Sequence, residues 1–244
     1  MRFHLVDRIE ELRPHESVRA VKATSLAEPY WQGEPPVMPP SLVRERSVLG
    51  ANVFGFMVAA GQLAAFYFCS LYIQTVWGVE SALTGVLFLP FCVFVVVGIS
   101  VAQRLFARIG ARMAIVAFGI VAAIGLGLFA TMPAHFDFWL GILLPSAVTA
   151  VGIGGSMVLI GAVATEGVSP DDVGVASGVV NSSRQLGGTI GLAVLVAVAS
   201  GYAVPREGFQ AGFLLGAVLL VVGSLAAWLI LPRRRRRDSA GASA

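Results

Sequence analysis

The residues best suited to chemistry lie in an apolar stretch that begins near residue 175. Ser177, Asn181 and Arg184 recur there at helical spacing, so a single helix would carry them as one polar stripe. Arg184 lies about 13 Å into that helix at a rise of 1.5 Å per residue. A charge at such depth is costly against lipid and should face a cavity or a partner. The alternative is an arginine whose long stem reaches the membrane interface and ties helix ends together.

A second stripe, of amides, a hydroxyl and an aromatic ring, precedes the first in the chain and recurs every four residues from position 62 to position 74. Such side chains suit the wall of an apolar, weakly selective binding cavity. They equally suit hydrogen bonds between helices and an aromatic belt at the membrane interface. The candidate lining of a substrate cavity, taken from both stripes, is Gln62, Phe66, Ser70, Gln74, Asn181, Arg184 and Gln185.

A carboxylate pair, Asp171 and Asp172, raises the question of acid–base chemistry. Its context favours a helix start instead, because Ser169 suits the N-cap and Pro170 suits the first helical position. Negative charge in the first turn also suits the helix dipole. We therefore predict a helix cap formed by Ser169, Asp171 and Asp172.

Three arginines recur every four residues at a turn between two apolar runs. Arg104, Arg108 and Arg112, with Gly110 between the last two, form a candidate cytoplasmic loop motif. Anchoring of positive charge on the inner side of a membrane is a sufficient explanation for them.

Other classes of site find little support. Cys69 and Cys92 both lie inside apolar runs and match neither a metal site nor a disulfide framework. The glycine cluster at residues 152–155 follows no strand, which excludes a phosphate loop. A net charge of +3 is weak evidence for a nucleic-acid partner. We predict that the chain is not an enzyme and has no metal, cofactor or nucleic acid.

The elements that must position these residues are membrane spans. The 244 residues are 57% hydrophobic and 13% charged, with a mean hydropathy of +0.81, against about 25% charged in a typical soluble domain. Six runs are long enough to cross about 30 Å of hydrocarbon. They lie at about 49–76, 82–102, 113–132, 138–163, 175–199 and 209–231. Pro90 and Pro145 fall inside two of them and predict kinks.

Arginine placement predicts the orientation of these spans. Ten arginines would lie on one side of the membrane, and Arg206 alone on the other. Positive charge marks the cytoplasm, so we predict a multi-pass protein of the inner (plasma) membrane with both termini cytoplasmic. The predicted domains are a soluble fragment at 1–43, a six-helix bundle at 44–237 and a disordered tail at 238–244. The fragment has no apolar signal-peptide core.

The bundle resembles the last six helices of the Major Facilitator Superfamily, specifically its fourteen-span drug:proton antiporters. The resemblance is carried by LYIQTVWG at 71–78, TGVLFLP at 84–90, RLFARIGAR at 104–112, GVASG at 174–178 and NSSRQLGG at 181–188. It implies half of a major facilitator fold and proton-coupled efflux of amphipathic small molecules by alternating access. The family places its substrate site between two bundles. The partners implied are membrane lipids, the substrate, and a second half of six to eight helices or a second copy.

The fragment before the bundle resembles the opening of a hotdog-fold hydroxyacyl-carrier-protein dehydratase. The resemblance is carried by FHLVDRI at 3–9, VRAVK at 18–22, EPYWQG at 28–33 and PVMP at 36–39. In that family a catalytic histidine follows the glycine equivalent to Gly33, whereas Glu34 stands here. The fragment has enough residues for about two β-strands, and we expect no dehydratase activity.

Three functions therefore compete. The chain is half of an exporter, a truncated or fused gene product without independent transport, or a membrane-tethered remnant of an acyl-carrier dehydratase.

Overall fold

A computed structural model of the chain describes residues 8–13, 17–21, 45–166, 168–170 and 172–232. Backbone contacts divide the chain into two compact units, Met1–Pro39 and Pro40–Ala244. In the first unit, β1 (Arg8–Arg13) pairs with β2 (Ser17–Val21) as an antiparallel hairpin. The predicted tail at 238–244, and the predicted fragment apart from these strands, lie outside the described residues.

The described part of the second unit is helical. Its elements are α1 (Arg46–Thr75), α2 (Ser81–Leu87), α3 (Leu89–Ile109), α4 (Ala111–Phe129), a π-helical turn (Trp139–Leu143), α5 (Leu144–Ala164), α6 (Val173–Ala199) and α7 (Pro205–Ile230). With α2 joined to α3 and the π-helical turn joined to α5, six segments are long and apolar enough to cross a membrane. The six-helix membrane fold expected from the sequence is confirmed.

The two prolines expected to kink spans lie where the α-helix is interrupted inside a span, each in the first turn of the segment that follows. Pro90 is in the first turn of α3, so the second span is broken at Phe88 and continues past its predicted end to Ile109. Pro145 is in the first turn of α5, directly after the π-helical turn. Proline has no N–H to donate and is therefore tolerated where the N–H would have no helical partner.

α5 lies at the centre of the bundle. It packs against α3 on one side and α4 on the other, and α1 packs against α6 and α7. In their most apolar windows, 61% of α5 and 56% of α1 is buried, against 17% of the α2–α3 segment and 22% of α6. The bundle therefore leaves most of two helices uncovered.

Glycines set the closest contacts of α5. A Cβ added to Gly152 or Gly154 would overlap the backbone of Ala122 in α4 or of Val95 in α3. Small residues allow such approach between membrane helices, where lipid supplies no hydrophobic drive for association.

The α1 start, the α3–α4 turn, the α5–α6 loop and the α7 end meet at one end of the bundle, which we call the arginine end. Residues from all four segments line a single pocket there. At the opposite end, Tyr72, Met132 and Arg206 join the end of α1, the loop after α4 and the start of α7. The short connections therefore alternate between two ends, as six crossings require.

The α3–α5 contact can be tested with a pair of glycines from one helix. Gly154→Val should lower the free energy of unfolding by about 1–3 kcal/mol, because its side chain has no room beside Val95. Gly161→Val is the matched control, since a Cβ there meets nothing within 4 Å. The measurement is the unfolding midpoint in detergent, followed by tryptophan fluorescence. Equal midpoints for the two variants would contradict this packing.

Candidate functional site

Arg184 lies half-buried where α6, α1 and α5 meet. A Cβ placed on Gly55 of α1 would be 2.9 Å from Arg184 Cγ and 3.5 Å from Ile160 Cγ2 of α5. The arginine stem therefore fills the space that Gly55 leaves open. Its Nε is buried and has no hydrogen-bond partner among the described residues. A donor left unpaired inside a membrane span is costly, which marks this position for function.

Asn52, one turn before Gly55 on α1, is a second polar group in this stretch. Its Nδ2 donates a hydrogen bond to the Val48 carbonyl oxygen at 2.8 Å. Its Oδ1 is buried and unpaired among the described residues. Asn52 was not among the predicted site residues, although a polar amide within an apolar run could have indicated it. An unpaired donor on α6 and an unpaired acceptor on α1 thus lie within the same packed region.

Glycines on α6 fix its approach to α1. A Cβ on Gly187 would overlap the Phe56 backbone, and a Cβ on Gly191 would overlap Ala60. Residue numbers increase in the same direction in both pairs, so α1 and α6 are parallel. This close contact between α1 and α6, which we call the seam, limits the distance between the Arg184 side chain and α1.

The other predicted residues of α6 point away from this seam. Asn181 and Gln185 are exposed, as is Ser177 one turn earlier. Their spacing of four residues places them along one uncovered face of the least apolar of the six spans. That face carries amide and hydroxyl groups where a lipid-facing helix would carry hydrocarbon.

The predicted residues of α1 are all half-buried. Gln74 Nε2 donates a hydrogen bond to Ser70 Oγ at 2.8 Å, within the same helix. The Phe66 ring lies 4.7 Å from the Phe91 ring and 5.6 Å from the Phe88 ring, measured between centroids. Phe66 therefore packs at the junction of α2 and α3. The two predicted stripes lie on α1 and α6, which pack directly against each other. The predicted place of Gln62 in a cavity wall stays a prediction.

The three arginines of the loop motif lie in two environments. Arg104 and Arg108 are exposed at the end of α3, whereas Arg112 is half-buried at the start of α4. Its guanidinium carbon lies 4.5 Å from the centre of the Trp228 ring on α7. Gly110 joins the two helices with φ 82° and ψ 166°, a conformation essentially confined to glycine.

The predicted helix cap differs from the observed helix start. α6 begins at Val173, so Asp172 occupies the N-cap position and Ser169 lies three residues earlier. The Ser169 carbonyl oxygen accepts a hydrogen bond from the Asp172 N–H at 2.9 Å, which closes a turn before the helix. The expected start at Pro170 is therefore wrong by one turn. Asp171 lies outside the described residues.

Sequence reasoning missed a polar cluster at the end opposite the arginines. The Tyr72 hydroxyl donates to the Met132 carbonyl oxygen at 2.9 Å and accepts from Arg206 Nε at 3.1 Å. Trp77 Nε1 donates to the Pro133 carbonyl oxygen at 2.9 Å. The signal was available, because Arg206 is the single arginine predicted on that side. The cluster ties three segments together where the bundle closes.

The sequence is similar to those of known proteins. The sequence profile of the Major Facilitator Superfamily matches residues 9–192. A cephamycin export protein of Amycolatopsis lactamdurans is 34% identical over 67% of this chain and 34% of its own length. A puromycin resistance protein of Streptomyces alboniger is 35% identical over 68% of this chain and 34% of its own length. A methylenomycin A resistance protein of Streptomyces coelicolor is 28% identical over 85% of this chain and 44% of its own. The chain thus spans about a third of the length of the first two relatives.

The glycine between α3 and α4 provides one test. Gly110→Ala should lower the free energy of unfolding by about 1–3 kcal/mol, because alanine must adopt the backbone angles seen there. Gly174→Ala near the same end is the control, since it is helical and a Cβ meets nothing within 4 Å. Chemical denaturation in mixed micelles measures both. A Gly110→Ala protein as stable as the control would rule out this backbone conformation.

The polar cluster provides another test. Tyr72→Phe should destabilise the protein by about 1–3 kcal/mol, because Arg206 Nε and the Met132 carbonyl oxygen each lose a partner. Tyr67→Phe is the matched control on the same helix, as Tyr67 is 40% exposed. Thermal unfolding in detergent compares the two. Indistinguishable midpoints would show that the hydroxyl of Tyr72 does not hold the three segments.

Proposed function

We propose that this chain, which belongs to the Major Facilitator Superfamily, is the carboxyl-terminal half of a transporter that exports amphipathic small molecules. Export would be driven by the proton gradient through alternating access. The relatives support this direction, since one is named for cephamycin export and two for resistance to puromycin or methylenomycin A. The assignment to fourteen-span antiporters is part of this proposal.

The observation that carries the proposal is Arg184, unpaired among the described residues, on a helix whose exposed surface includes amides. Its buried Nε lacks a partner among the described residues, while Asn181 and Gln185 on the same helix are exposed. Hydrocarbon can neither solvate the charge of Arg184 nor form hydrogen bonds with the side-chain amides of Asn181 and Gln185. An aqueous cavity or a second helical bundle satisfies both. Arg184, Asn181 and Gln185 are therefore the residues we assign to the substrate cavity on α6, with Gln62, Phe66, Ser70 and Gln74 on α1.

The uncovered helices suggest where a second half would bind. α3 and α6 are the least buried spans, and α6 also carries the polar face. We propose that a further bundle of six to eight helices, or a second copy of this chain, covers that face and completes the cavity. Transport by the chain alone is not expected, because one bundle provides a single wall.

The chain is a multi-pass membrane protein, and we place it in the plasma membrane with the arginine end in the cytoplasm. Arg104 and Arg108 are exposed at that end, where they can reach lipid headgroups and water. Arg206, at the other end, donates hydrogen bonds to Tyr72 and to the Met132 carbonyl oxygen and is partly withdrawn from solvent. Both termini are then cytoplasmic, since α1 begins and α7 ends at the arginine end.

The dehydratase-like interpretation of residues 1–43 stays a prediction. The superfamily profile begins at residue 9 and so overlaps the segment. We expect no turnover of a hydroxyacyl carrier-protein substrate, and an assay of dehydration with the purified chain tests this directly.

Transport is tested by reconstitution in proteoliposomes with an imposed proton gradient. We expect movement of puromycin or an amphipathic dye when the chain is combined with a candidate partner half, and a loss of about tenfold or more in Arg184→Gln. Arg46→Gln, an exposed arginine at the start of α1, is the control and should transport normally. Absence of gradient-dependent movement both alone and with the partner half would sink the proposal.

A further inference from the structure

A pocket of about 520 Å³ opens at the arginine end, away from the Arg184 seam. Its lining includes Arg112 of α4, Trp228 of α7 and Glu166 from the loop after α5, together with apolar side chains such as Phe106 and Met113. Among the described residues, the lining of this pocket holds one cation and one anion beside an apolar wall, which suits an amphiphile that carries both charges.

Arg112 is held in this pocket as an anion-binding group. Its guanidinium carbon lies 4.5 Å from the centre of the Trp228 ring, a cation–π contact that holds the group at the pocket wall. Its Nε is buried, so the terminal guanidinium nitrogens, which have no hydrogen-bond partner among the described residues, are the donors available to a ligand. Arg104 and Arg108, by contrast, are exposed and do not line the pocket. Stacked guanidinium groups with free N–H donors bind phosphate oxygens in charge-assisted pairs.

Glu166 provides the opposite charge. It is exposed at the pocket wall and forms no ion pair with Arg112 or with any other described residue within the 4.0 Å that defines one. The two opposite charges line one pocket with their charged atoms more than 4.0 Å apart, so each is free to bind a different group of one ligand. A ligand with a phosphate for Arg112 and an ammonium for Glu166 matches both, whereas a purely anionic ligand would be opposed by the carboxylate.

A separate apolar groove lies further along two of the helices that line the pocket, α4 and α7. It has a volume of about 560 Å³ and is lined only by aliphatic side chains, including Ile120 and Ile124 of α4 and Val218 and Val222 of α7. Ile120 lies seven residues beyond Met113, which is two helical turns on the same face and about 10 Å deeper in the membrane. A hydrocarbon chain attached to a headgroup in the pocket would reach it.

We propose that the pocket and groove together form a binding site for one phospholipid whose zwitterionic headgroup carries a primary ammonium, that is, a phosphatidylethanolamine. The phosphate lies on Arg112, the ammonium on Glu166, and an acyl chain in the groove between α4 and α7. The site is separate from the Arg184 region and does not rest on transport activity.

The test is native mass spectrometry of the purified full chain in detergent, titrated separately with phosphatidylethanolamine, phosphatidylcholine and phosphatidylglycerol of equal chain length. We expect phosphatidylethanolamine to bind about tenfold more tightly than the other two. Phosphatidylcholine has no N–H donor for Glu166, and phosphatidylglycerol has no ammonium. Equal binding of the three lipids, preference for phosphatidylglycerol, or no retained lipid would each overturn the proposal.

Substitutions test the contributions of Arg112 and Glu166 separately. Arg112→Gln should weaken binding of phosphatidylethanolamine about tenfold, whereas Glu166→Gln should abolish the preference over phosphatidylglycerol. Arg104→Gln and Glu80→Gln are matched controls, because both side chains are exposed and lie outside the pocket. Helical circular dichroism checks the fold of each protein, and Arg112→Lys, which keeps the charge, should retain part of the affinity. A Glu166→Gln protein with unchanged lipid preference would contradict the headgroup assignment.

The groove has its own test. Ala217→Phe fills it from α7 and should weaken all three lipids by a similar factor while leaving their order unchanged. Unchanged affinities would contradict the placement of the acyl chain.

Discussion

Hydrocarbon constrains every contact in this bundle. It offers no hydrogen bonds to the backbone, so each span must satisfy its own amides, and it offers no drive to bring apolar helices together. Close approach at small residues takes the place of that drive. Gly152 and Gly154 bring α5 against the backbones of α4 and α3, and Gly187 brings α6 against α1. The positions of the polar groups follow from those contacts, because a helix held so closely cannot rotate freely.

Four arginines show how differently the same side chain is accommodated. Arg108 extends into the exposed region at the end of α3, and Arg112 lies on the Trp228 ring. Arg206 donates to Tyr72 and to a backbone carbonyl oxygen. Arg184 has a stem packed against Gly55 and a buried Nε that is unpaired within the described part of the chain. Contacts within the bundle or exposure explain Arg108 and Arg206, whereas Arg112 and Arg184, each with an unpaired buried Nε in the described part of the chain, point to components outside it.

The number of spans could be predicted because each depends on local length and composition. The contacts of the charged residues could not, because their partners are distant in the chain. Tyr72 and Arg206, for example, are 134 residues apart. Helix starts also escaped prediction. Among the described residues, the N-cap residue Asp172 makes no side-chain cap hydrogen bond, whereas Asp137 Oδ1, which was overlooked, accepts bonds from the amides of Trp139 and Leu140. A cap depends on the angle at which the chain enters the helix, and composition does not encode that angle.

Gly110 alone connects α3 to α4, and this short connection restricts the insertions and deletions that the sequence can tolerate. One inserted residue would turn the start of α4 by about 100° about its axis. Such a turn would carry Arg112 off the Trp228 ring and rotate the aliphatic face that lines the groove. The loop at residues 133–137 is five residues long; its first residue, Pro133, is bound by Trp77 and its last, Asp137, caps the next helix, so the residues between them can absorb a change in length. Codon insertions and deletions should therefore accumulate between α4 and α5 and be absent between α3 and α4.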